Sequence, residues 1–310
     1  MRLDRLTGPK LISPSGNQGQ DGDITPKWLG YRRFIGSRDQ VGQPLGSIGQ
    51  LEVSLAHDRR SIKRLQALRY KIFYRHGRAI ADLRTRLTGR DIDSFDDLCD
   101  HLMVVDRSLA KGASCESPIV GTYRLLRQEV AERHGGFYSA GEFEIADLLK
   151  RHPGKRFLEL GRSCVLPAYR SKRAIELLWR GIWTYVREHR IDVMIGCASF
   201  EGTEREHLAR SLSFLYHFAR APEPWRAAAC SLRRVEMDLM PRSAIDVRRG
   251  WHELPPLIKG YLRAGAFVGD DAVFDAQFRT TDVLVVLPVA TIDARYARHF
   301  GMGTKRNAAV

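Results

Sequence analysis

The sequence predicts an α/β protein built on a mixed sheet with helices on both faces, and three observations predict it. Short apolar runs with the two-residue period of strands alternate with longer runs at helical spacing through the middle of the chain. Two strand-like runs, 101–106 and 119–126, are joined by a short connection at 111–118 that reads as a hairpin, which calls for antiparallel neighbours. Later strands are separated by helices, which calls for parallel ones.

The elements follow in order. Residues 1–50 are rich in Gly, Pro, Ser, Gln and charge without apolar periodicity, and are expected to form a flexible extension. Leu51 to Leu55 alternates as a half-buried strand. Asp58 is placed to cap a helix whose stripe runs through Ile62, Leu65, Leu68, Ile72 and Phe73 to about Tyr74. Gly77 and the charged run to Arg90 loosen the chain before an acidic loop, Asp91 to Asp97. After the hairpin, Phe137 to Lys150 reads as a helix around Phe143, Ile145, Leu148 and Leu149. Phe157 to Val165 reads as a strand, Pro167 as a turn, and Ala174 onward as a helix. Strands are expected at 192–200, 234–239 and 283–289. Helices are expected after Thr203, with Leu208, Leu212, Leu215 and Phe218, and over 257–264. A polar tail closes the chain at 302–310.

A chain of 310 residues can bury a full core. Fifty Lys and Arg against 36 Asp and Glu give a net charge of +14 and a pI near 9.9. That field attracts nucleic acid, anionic lipid, phosphorylated cofactors and acidic carrier proteins alike. The arginines are dispersed along nearly every element with no nucleic-acid motif, which argues against a nucleic-acid-binding protein. Five cysteines without a Cys-x-x-Cys pair argue against a disulfide framework and for a reducing compartment. No signal-peptide core and no run of about 18 apolar residues is present. The expectation is a cytoplasmic protein, with peripheral contact at the inner membrane left open.

Four features carry candidate chemistry. Tyr169-Arg170-Ser171-Lys172-Arg173 feeds backbone N–H groups and three cations into a helix N-terminus, a geometry that binds phosphate; a solvated basic turn is the plainer alternative. Glu159 is a carboxylate among apolar strand neighbours, so desolvation would raise its pKa and suit it as a base; pairing with Arg156 or Arg162 is the alternative. The acidic loop fails the EF-hand pattern, because Phe95, Asp96 and Leu102 stand where an oxygen ligand, Gly and the closing Glu belong. It suits either a cationic substrate group or pairing with nearby arginines. Cys164 has no nucleophile signature and reads as a small buried residue. His101 and His207 lack metal-ligand spacing, and no metal site is expected.

The element order and Val165-Leu166-Pro167-x-Tyr169-Arg170 resemble the GNAT superfamily of N-acyltransferases, whose sheet is mixed and mostly antiparallel. The usual glycine-rich phosphate loop is replaced here by Arg170-Ser171-Lys172-Arg173-Ala174, which weighs against acetyl-CoA as donor. A closer resemblance is to the bacterial ornithine N-acyltransferases that make lyso-ornithine lipid. It rests on Leu68 to Tyr74, Asp93 to Leu102, Gly121 to Leu126, Phe137-Tyr138-Ser139, Glu142-Phe143, Glu159 to Val165, Leu177-Leu178-Trp179-x-Gly181, Gly196 to Phe200 and Thr280 to Val283. It spans about 51–301, the expected acyltransferase domain. That family is similar in turn to acyl-homoserine-lactone synthases. Those share an arginine on the first helix (here Arg69), the acidic loop, an arginine on the third strand (here Arg124) and a Glu-x-x-Arg strand (here Glu159 and Arg162).

The resemblance implies transfer of a 3-hydroxyacyl chain from acyl carrier protein to the α-amine of ornithine, with no cofactor beyond the carrier's phosphopantetheine thioester. Glu159 would be the base. Arg69 would belong to the substrate site, Asp93 and Asp96 would hold the side-chain ammonium, and Arg124 or Arg162 the carboxylate. Arg170, Ser171, Lys172 and Arg173 would bind the phosphopantetheine phosphate. A backbone N–H of the central strand would stabilise the oxyanion. Phe200, Phe214 and Tyr216 are candidates for the acyl groove. The alternative within the class is a homoserine-lactone synthase or another amino-acid N-acyltransferase.

Overall fold

A computed structural model describes residues 44–109, 117–170 and 172–292, without the side chains of Lys172 and Ser231. The expected extension is therefore described only from Pro44, and the 302–310 tail, most of the 111–118 connection and Ser171 lie outside the described residues.

The strands are β1 (Gly46–Ile48), β2 (Leu51–Leu55), β3 (Asp100–Asp106), β4 (Ile119–Arg127), β5 (Phe157–Val165), β6 (Val193–Glu201), β7 (Arg234–Val235), β8 (Phe267–Asp275) and β9 (Thr280–Pro288). They form one sheet in the order β1-β2-β3-β4-β5-β6-β9-β8-β7. Every neighbouring pair is antiparallel except β5 and β6. The helices are α1 (Arg59–Tyr70), α2 (Leu83–Thr88), α3 (Gln128–Ala131), α4 (Ile145–Arg151), α5 (Lys172–Glu188), α6 (Arg205–Phe218), α7 (Val247–Glu253) and α8 (Pro256–Ala264). This is the mixed, mostly antiparallel sheet that was expected.

Helices cover both faces because successive strand residues point opposite ways. On one face, Leu177, Leu178, Trp179 and Ile182 of α5 pack with Leu102, Val104, Leu158, Leu160 and Met194. On the other, Leu65 and Leu68 of α1 pack with Met103, Val105 and Ile119, and Ile145 and Leu148 of α4 with Phe157, Val193 and Ile195. Asp58 caps α1 by accepting from the Ser61 amide at 2.6 Å.

Some expectations differ from the structure. The helix expected over 137–150 is a 3₁₀ turn, Tyr138–Gly141, followed by α4. The amides of Tyr138 and Ser139 are given to the Glu159 carboxylate. The strand expected over 234–239 stops at Val235. The Ser213 hydroxyl accepts from the amides of Leu239 and Met240, both at 3.0 Å, and donates to the Met237 carbonyl, diverting the backbone from a ladder. Strand β8 was not expected: a bulge between Val268 and Ala272 breaks its alternation. Helices α2 and α7 were missed because both are short and mostly exposed.

Candidate active site

The site is built where the one parallel pair comes apart. β5 and β6 are each nine residues long, yet they pair only over Phe157–Glu159 and Val193–Ile195. Beyond that, β5 pairs only with β4, and β6 only with β9. At the mouth of the gap, a Cβ on Gly196 would sit 2.3 Å from the Leu160 carbonyl oxygen, so only glycine admits this close approach. A cavity of about 790 Å³ occupies the gap, ample for a small ligand. Its polar wall carries Glu159, Cys197, Ser199 and Asp282. Ile175 and Trp179 of α5 and Pro256 and Leu257 of α8 supply an apolar wall. Glu159 lies on the sheet face opposite α5, so the cavity passes through the sheet.

Glu159 is buried and accepts hydrogen bonds from the Tyr138 and Ser139 amides at 2.8 and 2.7 Å. No salt bridge among the described residues reaches it. Burial raises its pKa above the ordinary value; the Ser139 and Tyr138 hydrogen bonds and the Arg124 charge offset this only in part. It is held in place as a proton acceptor of increased basicity.

Arg162 stands three residues from Glu159, which on a regular strand would place it on the opposite face. The β4–β5 register slips between Thr122 and Arg124, and Arg162 takes φ 49°, the left-handed region. Such a conformation costs a non-glycine residue about 1–3 kcal/mol and concentrates at functional sites. The bulge turns Arg162 into the cavity, where its guanidinium lies 4.8 Å from the ring centres of both Tyr138 and Phe278. Asp93 and Asp91 hold it at 3.0 and 3.3 Å.

The acidic loop faces arginines. Arg69, fully buried, bonds Asp91 at 2.8 Å and Asp96 at 2.7 Å. Arg124 bonds Asp93 at 2.6 Å and Asp96 at 3.3 Å. Burial pushes the Asp93 pKa up, but Arg124 and Arg162 together outweigh it and hold the carboxyl below its ordinary value. Three carboxylates thus meet three guanidinium groups. Arg124 and Arg162 line the cavity, and Arg69, Asp93 and Asp96 stand behind them.

Arg170 also lines the cavity, while Arg173 is exposed and does not. Ser171 and the Lys172 side chain lie outside the described residues. Of the acyl-groove candidates, Phe200 and Phe214 are buried in the core, and Tyr216 lines a separate, smaller cavity with Arg220. Cys164 touches the cavity, but burial pushes its thiol up to about 12, which keeps it protonated.

Three functional candidates were not legible one by one. The ligand oxygens of Glu142, Asp275 and Asp282 lie within 4.8 Å of one another, all three residues buried. The available signal was a lone Asp282 beside the apolar run of β9 and a Glu142 flanking buried Phe143.

A protein-family model described as an acetyltransferase (GNAT) domain matches residues 68–180. The L-ornithine N(alpha)-acyltransferase of Rhizobium meliloti (strain 1021) is 53% identical over 262 residues, 84% of this chain and 88% of that protein. The L-ornithine N(alpha)-acyltransferase of Rhodobacter capsulatus is 37% identical over 249 residues, 80% of this chain and 94% of that protein. Among solved structures, the acyl-homoserine-lactone synthase LasI is similar at a TM-score of 0.43 and 12% identity, over 83% of this chain and 97% of that one.

Proposed function

The chain belongs to the L-ornithine N(alpha)-acyltransferase family, and from that premise we propose that it moves a 3-hydroxyacyl chain from acyl carrier protein to the α-amine of ornithine, the first step of ornithine lipid biosynthesis. The observation that carries the proposal is the cavity through the β5–β6 gap, with buried Glu159 and cationic Arg162 both facing it.

The Glu159 carboxylate takes a proton from the α-ammonium, directly or through one water. The neutral amine attacks the thioester carbonyl. Backbone N–H groups on the separated edges of β5 and β6 face the gap and suit the oxyanion. The tetrahedral adduct collapses to the amide and expels the pantetheine sulfur, which leaves as the thiol with the second nitrogen proton. Arg162, with Arg124 beside it, receives the ornithine carboxylate as a fork. Arg69, Asp91, Asp93 and Asp96 position those two arginines. The apolar wall of α5 and α8 suits the acyl chain. Arg170, with Ser171, Lys172 and Arg173, is assigned to the pantetheine phosphate because it leads into the 17-residue helix α5.

The net charge of +14 would steer an acidic carrier protein. No helix among the described residues is long and apolar enough to cross a membrane. We assign the protein to the cytoplasm, where acyl carrier protein is found, with peripheral contact at the inner membrane because its product is a lipid. The test is purified protein with 3-hydroxyacyl carrier protein and a panel of amino acids, read by thiol release and product mass. Ornithine should be the acceptor. Product only from S-adenosylmethionine would assign it instead to lactone synthesis.

A further inference from the structure

We propose that Glu142, Asp275 and Asp282 form the pocket for a primary ammonium group, the δ-ammonium of a basic amino-acid acceptor bound in the β5–β6 cavity. The proposal rests on the acceptor reading above and goes beyond it by naming what selects a diamino acid.

Three carboxylates converge within 4.8 Å, each residue at most 6% exposed. No salt bridge among the described residues reaches any of them, whereas each aspartate of the 91–96 loop that faces the arginines is paired. The partners present are neutral. Cys197 Sγ donates to Glu142 at 3.1 Å, and the amides of Gln277 and Phe278 donate to Asp275 at 2.8 and 2.9 Å. One acceptor has no partner: Asp282 Oδ1 is buried and unbonded, on a residue that lines the cavity. Buried carboxyl groups with an orphaned oxygen are costly to ionise unless a cation completes them.

The sheet register places this cluster on the face of Glu159. Glu159 pairs with Ile195, and Cys197 and Ser199 follow on the same face of β6, with Asp282 opposite Ser199. Cys197 is about 7 Å along the strand from Ile195, at ~3.3 Å per residue. An extended ornithine separates its two nitrogens by about 6 Å, from ordinary bond lengths. An acceptor whose α-amine meets Glu159 and whose carboxylate meets Arg162 therefore carries its side-chain ammonium toward Glu142 and Asp282. Its three N–H donors match three carboxylates. Asp275 and Asp282 line the cavity, and Glu142 completes their cluster from outside its wall, whereas Asp93 and Asp96 are already engaged by arginine.

The experiment compares ornithine with norvaline, which has the same carbon chain without the δ-amine, by thiol release and by calorimetric titration. Wild-type protein should prefer ornithine by about 10²-fold or more in kcat/KM, since a site built for a charged donor rejects the analogue lacking it. Asp282→Asn should collapse that ratio, mainly by raising the ornithine KM. Glu142→Gln and Asp275→Asn read the same ratio if the first variant does not fold. Equal use of both amino acids by wild type, or a preference that survives in the folded variants, overturns the proposal. So does magnesium or calcium binding that Asp282→Asn abolishes and whose removal by EDTA erases the preference. If no amino acid releases thiol, acyl transfer is wrong, but tighter titration by ornithine than by norvaline still supports the pocket.

Discussion

Replacing Glu159 by Gln separates proton transfer from scaffolding. In the folded protein the carboxylate accepts the Tyr138 and Ser139 amides at 2.8 and 2.7 Å, one on each oxygen. A glutamine can keep one of these bonds through its carbonyl. Its NH₂ then faces the other amide N–H, leaving a buried donor unpaired at a cost of about 1–3 kcal/mol. Loss of the buried charge offsets part of that. A net destabilisation of about 1–2 kcal/mol lowers Tm by roughly 1.5–3 °C for a chain of this size, at ~2.1 cal/mol/K of unfolding entropy per residue. Loss of a general base lowers turnover by about 10²–10⁴-fold. The assay is single-turnover thiol release from 3-hydroxyacyl carrier protein with saturating ornithine, across pH, alongside thermal melting. Because burial raises the Glu159 pKa, the wild-type rate should climb with pH along a limb that lies above the ordinary carboxylate value of 4.5. That limb should vanish in the variant. A folded Glu159→Gln protein that turns over within threefold of wild type, with the limb intact, would refute the base assignment.

Other outcomes follow from the same geometry. Cys164→Ala should retain acyl transfer, because the buried thiol stays protonated at neutral pH; loss of transfer with intact folding would point to a covalent acyl-enzyme. Gly196→Ala should destabilise by about 3 kcal/mol or more, since its Cβ would fall 2.3 Å from the Leu160 carbonyl oxygen and neither backbone can move freely; an unchanged melting point would mean the strands part more readily than described. Burial and the Glu142 charge, offset in part by Thr280 and Ser199, push the Asp282 pKa from 3.8 to about 7, so the folded state holds a proton that the unfolded state releases. Stability should therefore fall as pH rises between those values. Burial lowers the pKa of His101 and His189, which act in the opposite sense, so the difference between wild type and Asp282→Asn in urea melts isolates the effect. A difference independent of pH would contradict it. Arg170→Ala should raise the KM for acyl carrier protein and flatten its dependence on salt, without changing the ornithine KM.

The sequence by itself determined the local elements and the kinds of chemistry they bear. Period and composition were sufficient for β2, β4, β5, β6 and α5, and for Glu159 as a desolvated carboxylate, because these depend on neighbours a few residues away. Strand β8 was not legible, since a bulge erases the period from which a strand is read. The tertiary structure decided what faces what. Period 2 would separate Glu159 from Arg162, and only the slipped β4–β5 register, with Arg162 at φ 49°, brings both to the cavity. The acidic loop offered two fates, substrate or arginine, and the choice lay with Arg69, Arg124 and Arg162, which lie 22 residues or more from the Asp91 to Asp96 carboxylates they bond. Glu142, Asp275 and Asp282 come from two segments more than 130 residues apart. Their meeting as carboxyl groups without an ion-pair partner among the described residues is a property of long-range packing, because charge becomes costly, and so informative, only when the fold removes it from water.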